Sequence, residues 1–455
     1  MTLPFEQIPG PRPFRLMGSA FELRRRLLAT LLNGLHTYGD VVGYPVGPPG
    51  RWRGTLVVAH HPDDVQHILT QTEKTTTKDT LGFKAMAEMF GKGLLTSTGE
   101  TWKRQRRITQ PLFTPRRVAG YATLMAEEAA RTVSTLPDRP VDLHDLMLKY
   151  TLRVVGRSLF GEEVDDLVPA LHDLVPAVAE VTVRRRTVPW ALPLRYHTPG
   201  NRLPRRLRAQ EYAIIDEVLA RAPTGEGRDD LVARLRAATD PDTGESLSEQ
   251  EIRDQALIFL LAGHETTAGA LTFTLHLLGT HPEIQHRVAT EVRDVLGDKP
   301  APEADDIAAL VWTRAALQEA MRMFPSAHVT ERANLEPLTL QGYEIPAGTF
   351  MIVSPWTTQR HPHFWPEPDR YDPTRFIGDH DRHRYAYFPF GGGPRSCVGE
   401  HFAMLEAVIA LATLLRDREV RAIRPTMPVT ARITVRPAGP VPATLTRRAH
   451  LRSAA

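Results

Sequence analysis

Cysteine is almost absent from this chain of 455 residues, in which Cys397 is the only one. A single cysteine excludes an intramolecular disulfide framework and the zinc or iron–sulfur sites that need several thiolates. It fits a reducing compartment, so we predict a cytoplasmic protein. The role of this one thiol has to be sought in the residues around it.

The chain also lacks a strong excess of one charge and any long apolar run. Its 56 Lys and Arg residues nearly match its 53 Asp and Glu residues, and the formal net charge is +3. Bulk charge therefore gives little support for a nucleic-acid partner. No segment reaches the ~18 to 20 uninterrupted apolar residues that a membrane span needs. We expect neither a nucleic-acid partner nor a membrane span.

Helical periodicity dominates the chain from about residue 62 to about residue 296. β-Branched runs predict strands at 41–46 and 55–59 and short strands within 335–354. An irregular segment over 359–394 is long enough to suggest a functional role. A helix over 400–415 and a strand pair, 430–435 with 443–447, close the chain. Because no repeat or linker divides it, we predict one mainly α domain with a minor β portion over residues 1–455.

A glycine-rich loop leads into the cysteine, with the sequence Phe-Gly-Gly-Gly-Pro-Arg-Ser-Cys-Val-Gly from Phe390 to Gly399. Its glycines allow the backbone to approach a flat ligand closely. The apolar-periodic run after Gly399 places Cys397 just before a helix N-terminus, where free N–H groups and the helix dipole stabilise a thiolate. A lone cysteine is more often a buried structural residue. A zinc site with His401 is disfavoured because a second cysteine is missing.

A second motif, Ala-Gly-His-Glu-Thr-Thr, occupies residues 262–267 within a long helix predicted from Ser248 to near Thr280. The residues before it, 256–262, are apolar on every side, as in a helix that crosses a core. Burying Glu265 and the hydroxyl of Thr266 there is costly unless they serve a purpose. The alternative is that the hydroxyls merely bond back to the preceding helical turn.

Three weaker patterns accompany these two motifs. Glu319 and Arg322 lie three residues apart on one helix face, where they can pair. A Pro-x-Arg-Phe run further on contains Arg375. Trp102 and Arg106 lie one helical turn apart, a spacing that suits two donors to one carboxylate. Taken alone, the Glu319–Arg322 pattern is weak and has a surface pair as its alternative, and a solvated basic helix is the better interpretation of Trp102 and Arg106.

Taken together and in this order, the motifs resemble those of the cytochrome P-450 family along nearly the whole chain. The resemblance implies the P-450 fold, with haem b buried between the helix of Glu265 and the cysteine loop. It makes Cys397 the iron ligand and places Phe390 and Gly399 at the cofactor. A thiolate ligand pushes electron density toward oxygen and favours O–O cleavage. The implied partners of the haem propionates are Trp102, Arg106, Arg332 and Arg395.

The resemblance also assigns roles away from the iron. Thr266 is implied to donate a hydrogen bond during oxygen activation, and Glu265 to relay protons from solvent. Glu319, Arg322 and Arg375 are implied to form a buried ionic triad with a structural role. A basic face that includes Arg104 and Arg107 is a candidate docking site for an acidic redox partner.

The implied activity is a monooxygenase that inserts one atom of O2 into an apolar small molecule by hydroxylation or epoxidation. Electrons would come from NAD(P)H through a ferredoxin or flavodoxin and its reductase, and the protein would be a monomer. A peroxygenase or isomerase of the same fold is an alternative, but such members typically lose the acid–threonine pair. A haem-binding sensor is a third possibility, although it has little use for a proton relay.

The substrate pocket is expected to draw on several largely apolar segments, which favours an apolar substrate of open identity. These are residues 80–90, 181–196, 259–265 and 325–329 and the neighbourhood of Ile433. Four prolines interrupt the segment 181–204, so we predict a hinged lid there, with Trp190 on its underside.

Overall fold

Helices form most of the structure, a computed structural model that describes residues 2–12, 17–50, 53–161, 165–186, 192–221 and 230–448. The helices are α1 (Ala20–Tyr38), α2 (Pro62–Thr70), α3 (Leu81–Phe90), α4 (Gly99–Thr109), α5 (Pro115–Ala119), α6 (Ala122–Ser134), α7 (Leu143–Phe160), α8 (Val168–Arg186), α9 (Arg202–Arg221), α10 (Leu231–Ala237), α11 (Glu249–Thr280), α12 (Pro282–Leu296), α13 (Val311–Met323), α14 (Pro355–Thr358) and α15 (Glu400–Asp417). This confirms the mainly α class.

The strands are short and come from both halves of the chain: β1 (Val41–Val46), β2 (Gly54–Ala59), β3 (Thr76–Thr77), β4 (Val141–Asp142), β5 (Thr330–Asn334), β6 (Leu338–Leu340), β7 (Tyr343–Ile345), β8 (Phe350–Val353), β9 (Arg418–Ala422), β10 (Val429–Ala431), β11 (Val435–Pro437) and β12 (Pro442–Arg447). The largest sheet has the order β1-β2-β8-β5-β3. Its one parallel pair, β2 with β8, sets Val57 opposite Met351. β5, which carries Arg332, lies in this sheet between β8 and β3.

The predicted pairing of the last two strands is wrong. The segment 430–435 does not pair with 443–447; instead β10 and β11 form a small hairpin of their own, and β12 pairs with β9 and β4. The sequence showed two β-branched runs but not the partner of each, because strand pairing depends on contacts that are distant along the chain. β9, which directly follows α15, was not recognised.

Helix α11 is the central element and has the predicted bounds. Ser248 and Glu251 form a reciprocal capping box, in which the Glu251 backbone N–H donates to Ser248 Oγ (3.3 Å) and the Ser248 N–H donates to Glu251 Oε2 (3.0 Å). The helix packs against α7, α13 and α15. Among the described residues it is the only helix long and apolar enough to cross a membrane, but 72% of its apolar stretch is buried inside the protein, as in a core helix.

Candidate active site

A cavity of about 470 Å³ separates α11 from the loop that precedes α15. Cys397 lines one side of it, and Ala262 and Thr266 of α11 line the other. Ala262 and Cys397 are both exposed, although the elements around them are buried, because each faces this cavity. The rest of the lining is mostly apolar, so the cavity suits a large apolar ligand.

The cysteine loop has the shape that its glycines predict. Gly393 has φ +66, and a Cβ atom on it would lie 2.2 Å from the Leu69 carbonyl oxygen, so a side chain cannot be accommodated there. The Cys397 N–H donates to the carbonyl of Phe390 (2.9 Å), which closes the loop, and Phe390 itself lines the cavity. Gly399 caps α15.

The thiol is held close to a helix N-terminus, as predicted. Burial raises the pKa of Cys397, whereas the backbone N–H groups of Gly399 and Glu400 and the guanidinium of Arg106 lower it. Burial is the larger effect, so the pKa of the thiol lies above its usual value. A cation bound to the sulfur would favour the thiolate, with the proton released to solvent.

Three of the predicted propionate partners meet at one edge of the cavity. Arg106 donates to the carbonyl of Ser396 in the cysteine loop (2.8 Å). The guanidinium of Arg395 lies over the indole of Trp102, 4.0 Å from the ring centroid. All three side chains line the cavity. The structure therefore joins α4 to the cysteine loop, which the sequence alone could not do.

The fourth predicted partner, Arg332, lines the same edge from β5. It donates to Thr72 Oγ1 (2.9 Å) and to Thr330 Oγ1 (2.9 Å). Burial, and after it the nearby Arg395, lower the pKa of Arg332 to about 9. Such a crowded cationic edge has a strong affinity for anions.

Sequence reasoning missed three charged residues at this edge. Arg395 is paired with the buried Glu73, which has φ 69. Lys78 lines the cavity, donates to the Leu95 carbonyl (3.1 Å) and lies 4.0 Å from the Phe83 ring centroid. Glu331, also in the lining, accepts from Thr80 Oγ1 (2.8 Å). No sequence pattern marks these residues, because they come from loops and a strand edge that only the fold brings together.

The charges at this edge do not cancel. Four cations, Lys78, Arg106, Arg332 and Arg395, face two carboxylates, Glu73 and Glu331. Burial, and after it Arg332 and Arg395, lower the pKa of Lys78 well below its usual value, so a nearby anion would favour its charged form. With every group ionised, two positive charges remain in a largely dehydrated setting. Such a surplus favours a ligand that brings two negative charges to the same place.

The distal side of the cavity carries the predicted pair of Glu265 and Thr266. Thr266 Oγ1 donates to the carbonyl of Ala262 (2.6 Å), the local helix bond that was the alternative interpretation. Glu265 lies 3.8 Å from Arg436 on β11. Burial raises the pKa of Glu265, while Arg436 lowers it, so the carboxyl can hold a proton nearer neutral pH than an exposed glutamate does.

The predicted ionic triad is present behind the cavity. Arg322 donates to both carboxylate oxygens of Glu319, at 2.7 and 2.9 Å, and both residues are fully buried. Arg375 lies 3.4 Å from the same carboxylate. The triad joins α13 to the irregular segment predicted at 359–394.

The basic face is less available than predicted. Arg107 makes two hydrogen bonds to Asp240, at 2.8 and 2.6 Å, and Arg104 is paired with Glu251. These acids lie more than 130 positions away in the sequence, so their neutralising effect could not be seen there. The positive charges of Arg104 and Arg107 on α4 are therefore largely neutralised by acidic residues of the same protein.

The predicted pocket segments do line the cavity, through Phe83, Met86, Phe90, Val183, Phe259, Val329 and Ile433. The predicted lid falls partly outside the described residues: Trp190 lies within 187–191, which the structure does not describe. Around that gap α8 ends at Arg186 and α9 begins at Arg202.

Cys397, Glu265 and Thr266 line one mostly apolar cavity, as the resemblance to haem-thiolate oxygenases implies. The family model described as cytochrome P-450 matches residues 8–440. The chain therefore belongs to the cytochrome P-450 family, whose typical members are haem-dependent monooxygenases.

Bacterial relatives cover nearly the whole chain. It is 32% identical to the cyclooctat-9-en-7-ol 5-monooxygenase of Streptomyces melanosporofaciens, over 91% of this chain and 89% of that protein. It is 34% identical to the cyclooctatin synthase of the same species, over 93% of both. It is 33% identical to the pentalenene oxygenase of Streptomyces avermitilis, over 90% of both.

The residues present fit the haem that family membership implies. An apolar cavity suits the macrocycle, and the surplus of two positive charges at its edge matches two propionates. Cys397 would bind the iron, and Trp102, Arg106, Arg332 and Arg395, together with Lys78, would surround the propionates. Haem bound there supplies oxygen activation, which the thiolate promotes.

Proposed function

We propose that the protein is a monooxygenase that hydroxylates or epoxidises a cyclic, apolar terpene skeleton, with Cys397 as iron ligand. The observation that carries this proposal is that Glu265 and Thr266 line the same mostly apolar cavity as Cys397. An acid whose pKa is raised by burial can pass protons inward, and Thr266 can present one at the site of reaction. A peroxygenase, an isomerase or a sensor does not require this pair.

The substrate class is supported by two independent observations. The cavity wall is dominated by apolar side chains, such as Phe83, Phe90 and Phe259. Relatives of nearly the same length are named for the terpenoids pentalenene and cyclooctat-9-en-7-ol. We further propose that a ferredoxin or flavodoxin with its reductase delivers electrons from NAD(P)H, and that the protein acts as a cytoplasmic monomer.

The iron assignment is tested by Cys397→Ser, with Ser396→Ala as the matched control on the adjacent residue. The native protein and the control should show the far-red-shifted Soret band of the reduced carbonyl complex, because that band requires a thiolate ligand. The Cys397→Ser variant should lack it, and its persistence would refute the assignment. The reaction is tested by incubating the reconstituted enzyme with cedrene under ¹⁸O2: one labelled oxygen atom in the product is expected, and label from water contradicts the proposal.

A further inference from the structure

An acidic residue interrupts the apolar face of α9. Leu207, Ile215 and Val218 are buried along this face, and Glu211 lies between them with 2% of its surface exposed. Leu207 belongs to the core cluster beneath α3 and α8, whereas Ile215 belongs to the core cluster beneath α7 and α10. Glu211 thus occupies a position where α9 otherwise buries aliphatic side chains.

Neither carboxyl oxygen of Glu211 has a hydrogen-bond partner among the residues that the structure describes. The nearest cation along the helix, Arg208, is directed instead over the ring of Tyr212, 5.0 Å from its centroid. Burial raises the pKa of Glu211 well above its usual value, which favours the neutral acid. An unpartnered buried carboxyl lowers the free energy of unfolding. Its presence on this face is therefore explained by a function and not by stability.

Glu211 lines the same cavity as Cys397. The lining also includes the apolar Val175 and Val178 of α8, Leu231 of α10 and Phe259 of α11. Ser158 of α7 lines the cavity too, and its hydroxyl likewise has no partner among the described residues. The carboxyl oxygens of Glu211 are covered in this conformation, so contact with a ligand requires its side chain to turn toward the cavity.

We propose that Glu211 binds a hydroxyl group of the substrate, so that the enzyme selects a terpene skeleton that is already an alcohol. A neutral carboxyl can donate one hydrogen bond to a hydroxyl and accept another, whereas a hydrocarbon leaves it unsatisfied. A site built for a hydroxyl discriminates strongly against the analogue that lacks it, because the buried polar group is then left unpaired. The inference rests on the proposed function and adds a polar anchor to its apolar substrate class.

The test compares ligands with and without the hydroxyl. The haem-loaded native enzyme is titrated with p-menthane and menthol, cedrene and cedrol, and abietadiene and abietadienol, and binding is followed by the haem absorption spectrum. In at least one pair the alcohol should bind about tenfold more tightly, the ratio that one good hydrogen bond produces. Glu211→Leu should reduce that ratio to about twofold or less while leaving the hydrocarbon at least as tightly bound. The same variant should unfold at a higher temperature, since it removes an unpartnered polar group.

Glu406→Gln is the matched control, because Glu406 on α15 is also buried without a partner among the described residues but does not line the cavity. It should keep the native preference. If Glu211→Leu does not fold, Glu211→Met replaces it and should lose the preference likewise.

Three outcomes overturn the inference. Equal binding of alcohols and hydrocarbons by the native enzyme leaves the proposed function in place but removes the hydroxyl anchor. Loss of hydrocarbon and alcohol binding together in Glu211→Leu and Glu211→Met makes Glu211 a structural residue. If imidazole binds the haem and none of the six compounds does, the terpene class itself is contradicted, and the inference falls with it.

Discussion

Glu265 and Thr266 are neighbours along α11, yet they depend on different parts of the molecule. Thr266 bonds within its own helix, to the carbonyl of Ala262, and its backbone carbonyl accepts from Ser326 Oγ (2.9 Å). Glu265 is paired with Arg436, which lies on β11 of the β10–β11 hairpin. The two side chains can therefore be perturbed separately, and their contributions to proton transfer can be separated.

We predict that Thr266→Ala leaves haem binding intact and diverts electrons from product to hydrogen peroxide. Without the hydroxyl, the proton is no longer presented at the correct atom. The measurement is product formed per NAD(P)H consumed, which should fall about tenfold or more. Thr274→Ala is the control, because its hydroxyl makes the same helix bond, to Ala270 (2.7 Å), and it does not line the cavity. Unchanged coupling in Thr266→Ala contradicts the role.

Asp64 provides a pH-dependent contribution to stability. Burial raises the pKa of this carboxyl, which lies near the start of α2, from its usual value near 4 to about 7. The folded protein therefore holds a proton that the unfolded chain has lost between about pH 4 and pH 7, and stability falls as the pH rises through that range.

We predict that Asp64→Asn becomes more stable relative to the native protein as the pH rises from 5 to 8, because it never has to ionise in a buried position. The pKa difference sets an upper limit of ~4 kcal/mol on this gain. The measurement is the difference in thermal midpoint between the two proteins at each pH. Asp138→Asn, which changes an exposed carboxyl, should show no such trend. A difference that is constant with pH would rule out the buried titration.

Among the secondary-structure elements, α3 is joined by a polar contact to the end of α8 and to residues 192–201. Arg185 of α8 is paired with Glu88 of α3 and donates to Asn201 Oδ1 (2.8 Å) and to the Leu192 carbonyl (2.9 Å). The Leu194 N–H donates to the second oxygen of Glu88 (3.3 Å). This contact ties α3 to the described part of the segment predicted as a lid.

We predict that Glu88→Gln speeds both entry and release of a bound ligand by about threefold to tenfold, because a charged anchor of the closed state is lost. Stopped-flow spectra of imidazole binding measure both rates. Amides in residues 192–201 should also exchange faster with solvent in the variant. The control is Asp79→Asn, which breaks an exposed ion pair with Lys84. Lys84 lies on α3, as Glu88 does, and this variant should change neither rate. Native rates in Glu88→Gln would show that the contact does not gate entry.

At the scale of the whole molecule, the Glu319 triad links the helical core to the irregular segment that leads to the cysteine loop. Besides the two arginines, Glu319 accepts from the Asp372 backbone N–H (3.0 Å), and Arg322 donates to the Gln359 carbonyl (2.9 Å). A long segment with little regular structure is thereby fixed through side chains, since its own backbone makes few regular bonds.

We predict that Glu319→Gln lowers the free energy of unfolding by ~3 to 5 kcal/mol, because it leaves two buried guanidinium groups without their anion. Thermal unfolding and the fraction of purified protein that contains haem should both fall. Glu303→Gln, which breaks the largely exposed pair with Lys299 at 3.0 Å, should cost less than ~1 kcal/mol. Native stability in Glu319→Gln would mean that the triad is dispensable.

Some of this protein is determined locally, and the sequence by itself determined it. The bounds of α11 follow from its capping box and its apolar run, and the loop before Cys397 follows from glycines such as Gly393, whose φ of +66 other residues rarely adopt. Both features depend on residues within a few positions of one another, so they are visible in a linear chain. The acid–threonine pair was recognisable for the same reason.

Only the tertiary structure determined which distant residues contact these local features. Glu73 beside Arg395, Asp240 beside Arg107 and Arg436 beside Glu265 are all pairs of residues distant in the sequence. The partners of β10 and β12 were misjudged for the same reason. Glu211 gave one signal in the sequence, an acid on an apolar helical face, but its lack of a partner and its place in the cavity wall are properties of the packed molecule. Charge balance and burial are set by everything that surrounds a side chain, and a linear sequence does not contain that environment.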